Sequence, residues 1–149
     1  MKQYIGTKIV EAEPELRVNG EVWDTKWPIP KGSKVEDGYR VRYPDGYESW
    51  SPKDVFEASY RQTDNMSFGL AIEAVKMGNK IQRAGWNGKG QYVELATCIS
   101  YIGSDGNVIN SKHNAIGNKA LAFVGTSGIQ LGWLASQADI LADDWRIVL

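Results

Sequence analysis

Metal-binding and redox-active side chains are nearly missing from this chain, which has one cysteine and one histidine among 149 residues. A single cysteine excludes an intramolecular disulfide and any cysteine-rich zinc site. Cys98 lies in the apolar run Leu95-Ala96-Thr97-Cys98-Ile99 and is expected to be a buried, inert thiol. No apolar stretch reaches the roughly 18 residues that a membrane helix needs. The opening Met1-Lys2-Gln3-Tyr4 does not read as a signal peptide, so an intracellular, reducing setting is expected. Neither sign of charge is in excess: 17 Lys and Arg face 18 Asp and Glu, for a net charge of −1. Dividing the chain at Asp64 leaves ten basic against twelve acidic residues before the cut and seven against six after it. Electrostatic attraction to duplex DNA or an anionic membrane therefore has no basis here. A phosphate-binding Walker loop, a nucleophile elbow and an HExxH zinc helix are all missing.

What is present fits a folded protein. The hydrophobic fraction is 42% and the charged fraction 23%, and the length suits one domain, or one domain with a small appendage. Six tryptophans and seven tyrosines are more aromatic surface than a small core requires, which points to recognition.

Residues 1–65 read as a small β-rich extension with one helix. A strand is expected over 5–10, and the polar stretch 11–38, with Pro14, Pro28 and Pro30, reads as a long surface loop. Tyr39-Arg40-Val41-Arg42-Tyr43, the turn Pro44-Asp45-Gly46 and Tyr47-Glu48-Ser49-Trp50 form a β-hairpin over 39–50. A helix follows over 51–60, with Ser51 as N-cap and Pro52 at the first helical position. Residues 66–149 read as the main domain. Ser67 caps a helix carrying Phe68, Ala71, Ile72 and Val75 at helical spacing, and Gly78 stops it. Lys80 to Arg83, a glycine-rich turn at 85–90 and a long strand over 91–102 come next. Ser104-Asp105-Gly106-Asn107 is a turn, 110–119 has no clear assignment, and strands are expected over 120–124 and 129–134. Ser136-Gln137-Ala138-Asp139 has the form of a capping box opening a short helix through Asp144, and a strand from Trp145 closes the chain. The expected fold class is α+β: a small antiparallel sheet with helices packed on one side, preceded by the β-rich extension.

Groups that could catalyse a reaction are sparse. His113 sits in the polar stretch Asn110-Ser111-Lys112-His113-Asn114 and is expected to be a solvated loop residue. Glu11, Glu13 and Glu15 alternate along one face, a pattern able to hold a cation, though a solvated edge is the plainer reading. Asp143-Asp144 reads as surface. The notable segment is Arg83-Ala84-Gly85-Trp86-Asn87-Gly88-Lys89-Gly90. Its glycines let backbone N–H groups approach a ligand closely, and such concavities cradle phosphates. Arg83 and Lys89 would supply countercharge, Trp86 a stacking face and Asn87 an amide able to read a base edge or a ribose hydroxyl. A tight Asn-Gly turn beside a core tryptophan explains the same residues without any ligand. Gly132-Trp133-Leu134-Ala135-Ser136 poses the same pair of alternatives.

Several separated motifs, in order, carry a family resemblance: Met66-Ser67-Phe68-Gly69, Ala71-Ile72-Glu73-Ala74, Lys80 to Arg83, Gly85-Trp86-Asn87-Gly88-Lys89-Gly90, and the run from Trp133 to Trp145. Together they resemble the second Thoeris anti-defence family of phages, over about residues 66–149. Tyr4-Ile5-Gly6-Thr7-Lys8-Ile9-Val10, Tyr43-Pro44-Asp45-Gly46-Tyr47 and Trp50-Ser51-Pro52-Lys53 are similar to an N-terminal extension carried by some phage members. The resemblance implies a sponge acting in the cytoplasm of the infected host. Such a protein binds a cyclic ADP-ribose-type signal, a glycocyclic ADP-ribose isomer or related conjugate, without degrading it. The Thoeris effector is then not activated. It further implies a homotetramer with pockets at subunit interfaces and, in some members, a separate site for cyclic dinucleotides. No cofactor, nucleic acid or membrane partner is implied. By matching position the ligand-binding residues would be Trp86 and Asn87, with Phe68 and Trp133 as walls. Arg83 and the Gly88 backbone would meet phosphate, and Lys89 and Ser136 are counted with the ligand-binding residues. An enzyme cleaving ADP-ribose-like or cyclic nucleotides, and a phage structural or interaction module, are the competing readings.

Overall fold

The computed structural model describes residues 1–86 and 90–149. The chain divides into two compact units, Met1–Arg61 and Gln62–Leu149.

In the first unit the strands are β1 (Glu11–Val18), β2 (Glu21–Val22), β3 (Val35–Arg42) and β4 (Glu48–Pro52), followed by helix α1 (Lys53–Ser59). They form one antiparallel sheet in the order β2-β1-β3-β4. The expected hairpin is present, with Pro44-Asp45-Gly46 in its turn. Two expectations are corrected. Residues 5–10 are not a strand, and the supposed loop begins instead with the eight-residue strand β1. Its alternating glutamates are the reason: Glu11 stands opposite Arg42 and Glu13 opposite Arg40, and each pair forms an ion pair across the strands. Such cross-strand pairs favour a sheet register over a solvated loop. Nor does Ser51 cap α1. It still belongs to β4, Pro52 occupies the N-cap, and no side chain caps the helix. Tyr39, Phe56 and Tyr60 stack in series, with centroids 4.3 and 4.8 Å apart, and join the helix to the sheet.

The second unit opens with α2 (Phe68–Lys76), where the Ser67 hydroxyl accepts the Leu70 N–H as the sequence predicts. Gly78, at φ +95°, ends it in a conformation that glycine adopts without strain. Then come β5 (Lys80–Arg83), β6 (Tyr92–Ala96), β7 (Tyr101–Ile102), β8 (Val108–Ile109), β9 (Ala120–Gly125), β10 (Gly128–Leu131), α3 (Gln137–Ile140) and β11 (Trp145–Val148). Five strands make an antiparallel sheet in the order β10-β9-β6-β5-β11, and β7 and β8 form a separate two-stranded ribbon. Helix α2 buries Ala71, Ala74 and Val75 in a core with Met66, Ile81, Val93 and Trp145. The described residues are thus mostly antiparallel sheet with few helices, and no helix among them is long and apolar enough to cross a membrane.

The long strand expected over 91–102 is broken. Cys98 adopts φ 57°, ends the extended run and stands exposed, which corrects the expectation of a buried thiol. The unassigned stretch after it is organised by Asn110. Its side-chain amide donates to the Ile99 carbonyl and to Asn118, and its oxygen accepts the Ala115 N–H. His113 is an exposed residue of this loop.

Candidate functional site

The glycine-rich turn leaves the end of β5 next to α3 and the start of β11, because β5 pairs with β11 and sets Trp145 opposite Arg83. Asp144, directly before that pair, uses three atoms to hold the turn. Its carbonyl accepts the Ala84 N–H at 3.0 Å, Oδ2 accepts the Gly85 N–H at 3.1 Å, and Oδ1 accepts Arg83 Nε at 2.9 Å. A Cβ on Gly85 would lie 3.2 Å from Asp144 Oδ2, a tight contact that the glycine avoids. This overturns the reading of Asp144 as plain surface. It also shortens α3, which stops at Ile140 rather than running to Asp144, since these bonds draw the following residues back to the turn.

The same guanidinium donates through Nη1 to Asp139 Oδ1 at 3.0 Å. Asp139 also completes the predicted capping box. Its N–H donates to the Ser136 hydroxyl, while its Oδ2 accepts the Ser136 N–H and Oγ at 3.2 and 2.8 Å. Arg83 is therefore held by two carboxylates, Asp144 foremost, and both push its pKa upward. Partial burial works to raise the Asp139 carboxyl, but hydrogen bonds from Ser136, Arg83 and Trp86 outweigh it and leave it below the usual carboxylate value. Asp144 is lowered chiefly by Arg83. Both acids are thus ionised at neutral pH, and neither is poised to give up a proton.

Beside this clamp lies an aromatic cluster. The Trp86 ring meets Phe123, Trp133 and Trp145 edge-on, at centroid distances of 5.4, 6.0 and 5.4 Å. Phe123 and Trp133 stack at 6.4 Å, and Phe68 reaches Trp145 at 5.5 Å. Trp145 is fully buried and donates its Nε1–H to the Asp139 carbonyl at 2.8 Å. Trp86, Phe123, Trp133 and Phe68 are only half-buried, so they close the core on one side and keep aromatic surface outside it.

Of the residues singled out from sequence, Arg83, Trp86, Trp133 and Ser136 are brought together here, with Phe68 joined through Trp145. Asn87, Gly88 and Lys89 lie outside the described residues. The sequence reading missed Phe123, Asp139 as a partner of Arg83, and Asp144. Phe123 sits in an ordinary apolar strand pattern, and only the register Val93↔Phe123 next to Ile81↔Val93 shows that it shares the core face. The usable signal for Asp139 was its capping-box position.

Comparison with known proteins adds to this geometry. Thoeris anti-defense 2 of Bacillus phage SP01 is 38% identical over 89 residues, which cover 56% of this chain and 94% of that relative. Residues 66–148 match the family described as the Thoeris anti-defense 2-like domain. Those residues hold the whole aromatic cluster and its clamp, and the chain belongs to the Thoeris anti-defense 2-like family.

Proposed function

We propose that this is a phage anti-defence protein that binds a cyclic ADP-ribose-type second messenger and holds it intact, so that the Thoeris effector is not activated. One observation carries the reading: half-buried Trp86, Phe123 and Trp133 stand beside a glycine-rich turn whose neighbouring carboxylates are both locked onto Arg83. Aromatic faces stack on a nucleobase at roughly 1–3 kcal/mol per base. Carboxylates held ionised by one guanidinium suit binding better than proton transfer, which asks for an acid of raised pKa. Among the described residues Arg83 engages the two acids through Nε and Nη1, and Nη2 is the edge proposed to meet a phosphate. Phe68, Trp86, Asn87, Gly88, Lys89, Trp133 and Ser136 complete the proposed contacts.

The working form is a homotetramer with pockets at subunit interfaces. Exposed apolar residues support association: Tyr101, Ile102, Val108 and Ile109 on the β7–β8 ribbon, and Ile129 and Leu131 on edge strand β10. A lone two-stranded ribbon with such residues is marginal in water and gains from being covered. A second site for cyclic dinucleotides belongs to the same proposal.

Titration calorimetry with glycocyclic ADP-ribose should give a nanomolar Kd, about −12 kcal/mol. Ligand recovered after heat denaturation should have unchanged mass at one equivalent per site. Turnover by substoichiometric protein would instead show an enzyme, and a melting temperature unmoved by any nucleotide would favour an interaction module.

A further inference from the structure

We propose that Asp139 is the positioning residue of the aromatic site, fixing which way the Trp86 ring faces; the inference rests on the ligand-holding reading above. Edge-on packing against three aromatic neighbours fixes the outline of the Trp86 ring, and a hydrogen bond ties its polar edge to one partner. The side chain's one polar atom supplies that tie. Trp86 Nε1 donates to Asp139 Oδ1 at 3.4 Å, and the same oxygen takes Arg83 Nη1 at 3.0 Å. Oδ2 is held separately by the Ser136 N–H and hydroxyl, so the carboxylate plane is pinned from the α3 side. The Asp139 carbonyl then accepts the Trp145 indole, and a single residue orients two of the cluster's three tryptophans. The Asp139 side chain is only 15% exposed and each of its oxygens already accepts two bonds, which suits holding the ring rather than touching a ligand.

Proton–nitrogen NMR of the full chain, with calorimetry against glycocyclic ADP-ribose, tests this. Trp86→Phe identifies the Trp86 indole signal. Asp139→Ala should move that signal upfield and weaken binding tenfold or more. Asp139→Asn, which restores an acceptor at the same place, should recover most of both. Asn79→Ala removes the side-chain donor to the Ala74 carbonyl at the end of α2, outside the proposed contacts and the Asp139 clamp, so it should lower the melting temperature while leaving the indole signal and Kd within about twofold. The proposal is overturned if the indole signal stays put in Asp139→Ala, or if affinity across the variants follows melting temperature rather than the signal. Should Asp139→Ala fail to fold, an indole signal and Kd in Asp139→Asn that change only as far as its melting temperature accounts for would overturn it equally. A wild-type chain that binds no ligand would defeat the ligand-holding reading instead, and the indole signal of the free protein would still decide the role of Asp139.

Discussion

Trp86 combines two restraints that sequence inspection treats as rivals, since it packs as a core residue and also keeps part of its ring outside the core. Trp86→Ala should therefore lose both binding and stability, by about 3 kcal/mol in urea denaturation, within the range for aromatic-to-alanine changes in cores. Trp86→Phe keeps the packing and loses the N–H, so it should fall by less than half as much. Gly38 is the counterpart in the first unit. A Cβ there would run into the Trp50 ring and the Ser51 carbonyl, both part of the adjacent strand. Gly38→Ala should lower stability by about 1–3 kcal/mol, as overpacking does, with the loss read in the melting of the first unit. Cys98 carries a simpler expectation. Its exposure predicts complete reaction with a thiol reagent in the native protein, without denaturant.

Turns and helix ends decided where the expected elements stopped. The Ser136–Asp139 capping box was legible because it is a local pattern of two side chains and two backbone N–H groups three residues apart. The length of α3 was not, because its end depends on Asp144 bonding to Arg83 from 61 positions away in the chain. The same clamp predicts a pH response. Asp139 and Asp144 have folded pKa values below the reference value of 3.8, so the unfolded chain takes up protons first as pH falls. Their stabilising contribution is complete above that value and is lost on further acidification. The melting temperature should drop steeply below about pH 4, and Asp144→Asn should both lower it at pH 7 and flatten the drop.

The family match ends at residue 148 and begins at 66, close to the start of the second compact unit at Gln62. That unit has its own core, and the alignment with the phage SP01 relative covers 94% of that relative's length. Produced alone, residues 62–149 should fold and give the Trp86, Trp133 and Trp145 indole signals of the full chain, and should retain the nanomolar affinity. Sedimentation of the full chain should give a tetramer, and charged replacements at Ile102 and Val108 should dissociate it, since the ribbon's apolar residues would no longer favour burial.

By itself the sequence determined the hairpin around Pro44-Asp45-Gly46, the cap and stop of α2 at Ser67 and Gly78, the capping box and the family. Each rests on residue types at short, fixed spacing, where local geometry and chemistry suffice. The loop read over 11–38 held for 23–34 and failed at its start, because the glutamates there find their partners in Arg40 and Arg42, well beyond any local window. Only the tertiary structure decided that Arg83 is shared by Asp139 and Asp144, that Phe123 joins the tryptophans, and that Asp139 meets the Trp86 indole. Those contacts depend on the β5–β11 register, which long-range packing sets.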